Sequence, residues 1–460
     1  MRIEKDYMGE MELDDTCYYG IQTARALQNF AVSDYKIPAT FIRAFAFTKL
    51  ACAEVNIDLG YLDSRFGEPI CSACKDLING KYHDQIVVDP LQGGAGTSLN
   101  MNFNEVIANI ALGKLGLPKG AYANIDPLQN VNLHQSTNDV FPTALKVAVL
   151  FYLQDLEKGT ARLQENMQHK EQEFKDIIKL GRTQLQDAVP MTLGMTFGAF
   201  SEAIARDRWR VFKCRERIKT VNLGGTAIGT GLGAPQKYIF KVAQRLRKLT
   251  GLAISRSENL IDSTQNLDAF VEISGMLKAY ACNLLKISGD LRLLASGPHG
   301  GLAEINLPAV QKGSTIMPGK VNPVIPEMVS QVALKVMAND STIGYVAGMG
   351  NLELNQFTPL LAHSILDSLK LLINAVNIFD QRCIIGITAN SDKCLSHLKH
   401  SKSLATVLVP ILGYEVVEKI ITTAKARNCE VEEIILEKEL LSADEMQQLL
   451  SPNAMYKMGF

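Results

Sequence analysis

Between Gly313 and Pro323 the chain reads Gly-Ser-Thr-Ile-Met-Pro-Gly-Lys-Val-Asn-Pro, and three of these side chains suit the removal of a proton beside a carboxylate. Ser314 offers a hydroxyl that can serve as a base, Lys320 a fixed cation and Asn322 an amide. Two glycines and two prolines in so short a span exclude a helix interior or a central strand, because proline lacks a donor and glycine carries excess backbone entropy. The segment therefore reads as a mobile loop. Composition alone would serve a surface connector equally well.

Two further polar stretches each precede a helical pattern. The run from Gln92 to Asn102 is glycine-rich, and Thr97 or Ser98 is expected to cap the helix carrying Val106, Ile107 and Ile110. Its free amides make a site for a carboxylate, with Thr97 beside them. A phosphate loop is disfavoured, since no Gly-Lys-Ser/Thr follows. The run from Gln135 to Asp139 lies ahead of Pro142, so it reads as a helix start with Asp139 as N-cap. Ser136, Thr137 and Asn138 exceed what one cap requires and can grip an anion, although a polar loop explains them almost as well. Gly181 to Asp187, which includes Thr183 and Gln184, reads only as a loop between two helical patterns.

The elements that must position these residues are helical. Phe270, Leu277, Ala281, Leu284 and Leu291 recur at helical spacing in a stretch without proline, predicting a helix from about Leu267 to Ala295. Long partners are expected after Pro142 to about Ile178, from about Thr192 to Thr220, from about Pro326 to Gly344, and from Leu360 to Ile385. Strand signals are few, Ile86 to Val88 being a short β-branched run, so the fold class is all-α around a five-helix bundle. Boundaries near Asn138 to Pro142 and Ile387 to Asp392 divide the chain into 1–138, 139–388 with the loop at 313–323, and a small helical 389–460.

The 460 residues carry 47 basic against 48 acidic side chains, a balance that supplies no general field for nucleic acid or an anionic membrane. The charged N-terminal stretch does not read as a secretory signal, and no apolar run is expected to span a membrane. Nine cysteines, an odd and scattered set, point to a reducing compartment and a cytoplasmic protein. Cys71 and Cys74 are expected on a helix surface, and His397 and His400 in solvent; neither pair has the partners of a metal site.

All four polar stretches, in the same order along the chain, resemble regions of the aspartase and fumarase superfamily, and the likeness runs from Asp6 and Gly9 through Tyr18, Tyr19, Gly20 and Arg25 to the C-terminal segment. The loop is similar to that family's Gly-Ser-Ser-x-Met-Pro-x-Lys-x-Asn-Pro, with Thr315 replacing the second serine. Val321 to Glu327 and Tyr18 to Gly20 resemble the aspartase branch more than the fumarase branch. The resemblance implies elimination of ammonia from L-aspartate to give fumarate through an aci-carboxylate. Ser314 would be the base; Thr97, Thr137, Gln184, Lys320 and Asn322 would hold the carboxylates; Ser136, Asn138 and Thr183 would complete the cradle; Arg25 would secure the substrate or a neighbouring segment. It further implies a homotetramer with a twenty-helix core whose active sites draw on three subunits. No cofactor is implied, although a divalent cation such as Mg2+ activates some relatives and no ligand cluster for it is visible. Fumarate hydratase, or another fumarate-forming lyase, is the alternative reading, and a non-catalytic helical scaffold the outsider. Asn130, Gln184, His299 and Val409 depart from residues common in the family.

Overall fold

The computed structural model describes residues 1–457. After a hairpin of β1 (Arg2–Asp6) and β2 (Gly9–Leu13), helices α1 (Ile21–Asn29), α2 (Ala39–Asp58), α3 (Ser64–Ile78) and α4 (Thr97–Lys114) lead to the first long helix, α5 (Thr137–Glu173). A second hairpin, β3 (Ile178–Thr183) with β4 (Gln186–Thr192), precedes α6 (Leu193–Ile218), α7 (Gln236–Thr250), α8 (Leu260–Gln265) and α9 (Asp268–Leu294). Then come α10 (Val324–Gly348), α11 (Thr358–Arg382), α12 (Ser391–His400) and short helices to Tyr456. The five long helices, α5, α6, α9, α10 and α11, lie where the 3.6-residue period places them.

The chain forms two compact units, one from Met1–Glu157, Trp209–Ala279 and Leu334–Ile373, the other from Lys158–Arg208, Tyr280–Ala333 and Asn374 onward. Each long helix contributes residues to both. In the first unit α2, α4 and α5 meet at an aromatic cluster: Phe45 stacks on Phe103 at 4.3 Å between ring centroids, and Phe141 stands edge-on to Phe41 at 5.4 Å. Polar bonds set the helix register here, with Ser274 donating to Asp340 at 2.7 Å and Asn339 to Asp367 at 3.0 Å. In the second unit Asn283 donates to Asp207 and Asn166 to Asp380, both at 2.8 Å. Its C-terminal segment closes on Leu408, Val417, Ile420, Ile434 and Met446, and Val409 packs against that cluster.

Several local expectations change. Ile86 to Val88 forms no strand, because the Val87 amide donates to the Asn102 side chain of α4 at 2.9 Å instead of to a neighbouring strand. Gly181 to Asp187 belongs to the β3–β4 hairpin; its turn places Gln184 (φ 55°) and Leu185 (φ 62°) in the left-handed region, without the Asn-Gly pair that signals such turns. Cys71 and Cys74 face inward and are buried. Thr358–Gly386 is long and apolar enough to cross a membrane by length and composition, yet Leu361, Ile365, Leu369, Leu372, Val376 and Phe379 are buried within the protein.

Glu304 anchors the second unit. Fully buried, it pairs with Lys179 at 3.0 Å and Arg182 at 2.6 Å, both from β3, while His397 of α12 approaches it at 3.2 Å and is therefore not in open solvent. Burial opposes the Glu304 charge, but Lys179 and Arg182 overcome that penalty and hold its carboxyl below the usual range. A depressed carboxyl contributes stability that is present above its unfolded-state pKa and lost as pH falls through its folded-state value. Glu304→Gln should therefore lower the melting temperature most at neutral pH, and the gap to wild type should close as the solution is acidified; a gap independent of pH would contradict the charge argument.

Candidate functional site

The starts of α4 and α5 bring together Thr97, Ser136, Thr137 and Asn138. Gly96 adopts φ +94°, and a Cβ there would lie 2.3 Å from the Phe141 ring, so only glycine lets the first turn of α4 come this close to α5. The helix is not capped by Thr97 or Ser98. Thr97 Oγ1 donates back to the Gly94 carbonyl at 2.7 Å, and the Gln92 side chain takes the Leu99 amide at 2.8 Å. Asn100, one turn on, donates from Nδ2 to Thr137 Oγ1 at 3.0 Å.

Asp139 is not the cap of α5 either. Ser136 takes that place, accepting the Asn138 amide on its hydroxyl at 3.2 Å, while Asp139 reaches back to the Ser136 amide at 3.0 Å. Its other oxygen accepts the amides of Gly224 and Thr226, both at 3.1 Å. Burial pushes this carboxyl up to about 7, against those amides and the charge of nearby Lys49. Asn138 donates to the Ala227 carbonyl at 2.7 Å, and Asn222 Nδ2 donates to the Asn138 carbonyl at 3.0 Å. The segment from Asn222 to Ala234, with five glycines, thus braces the helix start; its glycine density was the available signal.

Beneath this surface lies buried Lys49, which donates to Asn132 Oδ1 and Gln135 Oε1, each at 2.9 Å. Neither Lys49 nor Asn132 stood out in the sequence, since a lone lysine in an apolar helix reads as a solvent-facing residue. Asn130 accepts the Asp126 amide at 2.7 Å and tightens the turn that carries Asn132. Arg25 is committed to Asp6 through two bonds, at 2.8 and 2.7 Å, and so ties α1 to the first hairpin.

The other candidates belong to the second unit. Thr183 and Gln184 are exposed at the tip of the β3–β4 hairpin. Ser314, Lys320 and Asn322 share the loop, whose stem is closed by the Gly313 amide on the Lys320 carbonyl at 3.0 Å and by the Asn322 side chain on the Gly313 carbonyl. Ser314 Oγ accepts two amides, from Ile316 at 3.2 Å and Met317 at 3.0 Å, which are the donors an alkoxide needs. Lys320 and Asn322 line a cleft of about 860 Å³ together with Arg292, Ser296 and Asn306. Ile316 is 83 % exposed and Met317 50 %, so the loop tip presents apolar surface. His299 is exposed. Among the described residues no group of three or more His, Cys, Asp or Glu side chains is placed to hold a metal ion.

A family model described as "Lyase" matches residues 9–338, and one described as "Fumarase C C-terminus" matches 404–457. Among relatives, the aspartate ammonia-lyase of Bacillus subtilis is 44% identical over 100% of this chain and 96% of its own length. That of Pseudomonas aeruginosa is 46% identical over 99% of this chain and 96% of its own. Among solved structures, the fumarate lyase:delta crystallin of Brucella melitensis bound to cobalt superposes with a TM-score of 0.95 at 44% identity, covering 99% of this chain and 100% of that one. A class II fumarase from Schistosoma mansoni gives 0.92 at 31% identity, covering 99% and 98%.

The stem geometry makes one prediction. A Cβ on Gly313 would sit 2.2 Å from the Lys320 carbonyl oxygen, so Gly313→Ala cannot keep the stem closed. Limited proteolysis should cut this variant within 313–323 several-fold faster than wild type, with little change in melting temperature; equal cutting rates would contradict the role of the stem.

Proposed function

The chain belongs to the aspartase and fumarase superfamily of lyases, and we propose that it is a carbon–nitrogen lyase that reversibly eliminates ammonia from L-aspartate to give fumarate. The observation that carries the mechanism is Ser314 Oγ receiving two backbone N–H groups within a loop that also holds Lys320 and Asn322. Serine is a feeble base in water, and amide donors with a nearby cation favour its alkoxide once solvent is excluded. Ser314 takes the proton from the carbon beside the β-carboxylate. The electron pair passes into that carboxylate as an aci-carboxylate, and its return expels the amine from the neighbouring carbon.

The transient extra charge needs donors already in place. Thr137, Gln184, Lys320 and Asn322 supply them in this reading, joined by Thr97 once its hydroxyl leaves the Gly94 carbonyl, with Ser136, Asn138 and Thr183 completing the cradle. Arg25, paired with Asp6, secures the neighbouring hairpin. Closure would bury the apolar loop tip, with Gly313 and Gly319 as hinges. No redox step occurs, and no cofactor or metal such as Mg2+ enters these steps.

One chain carries the candidate residues in three sets, on the α4 and α5 starts, the β3–β4 tip and the loop. By its resemblance to the superfamily the protein is a homotetramer in which each site draws these sets from three subunits, with four copies of the five long helices forming a twenty-helix core. Exposed Trp209, Leu334 and Tyr345 on those helices suit such burial. The same reading keeps the three-part division 1–138, 139–388 and 389–460. All nine cysteines are free, which fits a cytoplasmic setting.

Ser314→Ala should lower ammonia release from L-aspartate by roughly 10²- to 10⁴-fold while succinate still binds and the fold persists. Turnover near wild type would refute Ser314 as the base. Lys320→Ala should raise KM and lower kcat together, because a fixed charge facing a carboxylate acts in both ground and transition states. A change in melting temperature alone would make Lys320 structural.

A further inference from the structure

We infer that Asn100 is a positioning residue that fixes the Thr137 hydroxyl as a hydrogen-bond donor toward the substrate carboxylate, its direction imposed by a chain of bonds that begins at Lys49. The inference rests on the reading of Thr137 as a carboxylate ligand. It follows from the polarity of each group in turn.

A protonated lysine can only donate. Lys49 Nζ lies 2.9 Å from the side-chain oxygens of Asn132 and Gln135, so both amides must turn oxygen toward it. The outward amide groups agree, since Asn132 Nδ2 donates to the Gln135 carbonyl at 3.2 Å and Gln135 Nε2 to the Val131 carbonyl at 3.0 Å. With Asn132 Oδ1 thus fixed as an acceptor, Asn100, 3.2 Å away, must present Nδ2 to it. Flipping Asn100 would set two amide oxygens against each other. The same Nδ2 reaches Thr137 Oγ1 at 3.0 Å, so the threonine oxygen accepts and its proton is left over. Among the described residues no acceptor takes that proton.

The arrangement has a visible penalty. Asn100 is 2 % exposed, and its Oδ1 is buried without a hydrogen-bond partner. A buried orphan acceptor is costly, and a flip would let Thr137 donate to it. The orientation persists because Lys49 forbids the flip. Burial lowers the Lys49 pKa only to about 8, which leaves it mainly charged at neutral pH. The hydroxyl is therefore pre-oriented toward an anion by a cation that need not touch it, and a donor fixed before binding is worth more than one that must reorient.

The test uses succinate, a four-carbon dicarboxylate without a leaving amine, titrated calorimetrically into the intact wild-type protein and into Asn100→Leu, Thr137→Val, Thr137→Ser and the Asn100→Leu/Thr137→Val double variant. Leucine removes both the donor and the orphan acceptor at similar volume, so melting temperature should change little. Succinate binding should weaken by roughly tenfold in Asn100→Leu and by at least as much in Thr137→Val, and Thr137→Ser should restore it. In the Thr137→Val background, Asn100→Leu should have no further effect, because its action passes through the hydroxyl. Wild-type affinity in Asn100→Leu, or the same loss in both backgrounds, would overturn the proposal. Wild-type affinity in Thr137→Val would instead overturn the reading of Thr137 on which it rests. If Asn100→Leu does not fold, Asn100→Asp reverses the polarity in nearly the same shape; a folded Asn100→Asp protein that binds succinate as wild type does would equally overturn it.

Discussion

The approach of α4 to α5 is the constraint on which the first unit's candidate site depends. Gly96 is placed where any side chain would enter the Phe141 ring, and that proximity lets Asn100 reach Thr137. Phe141 is held in turn by Phe41 and Phe45, so packing of apolar rings sets the position of polar groups one helical turn away. Close-packed cores transmit such constraints because they have no slack to absorb them. The polar residues are then oriented from below, by Asp139 on three amides and Lys49 on two side-chain oxygens. Buried polar groups of this kind are tolerable because hydrogen bonds offset the loss of water.

Much of the fold was legible in the sequence because long amphipathic helices repeat their signal over many turns. The predicted Leu267 to Ala295 and the observed Asp268–Leu294 differ by a single residue at each end. Short elements carry no such redundancy. The β3–β4 hairpin turns through Gln184 and Leu185 in the left-handed region, a geometry their side chains do not advertise, and it is secured by Glu304 more than a hundred residues later. Ile86 to Val88 has strand composition but finds an asparagine side chain where a strand partner would be.

For the candidate site, local chemistry was legible and support was not. The loop at 313–323 announced itself through glycine, proline and reactive groups crowded together, and the polar starts of α4 and α5 through their small donors. Which residue caps which helix depends on contacts invisible at short range: Gln92 displaces Thr97, and Ser136 displaces Asp139, whose carboxylate is drawn inward by Gly224 and Thr226. Lys49, Asn100 and Asn132 lie far apart in sequence and gain meaning only once the fold joins them.

The central claim is that these donors and the Ser314 loop serve the loss of ammonia from L-aspartate. The most direct measurement is the ultraviolet absorbance of fumarate when the purified protein is offered L-aspartate and L-malate in separate cuvettes. Fumarate from L-aspartate, with ammonia in equal amount and none from L-malate, is the predicted result. Fumarate from L-malate alone would contradict it and make the chain a hydratase.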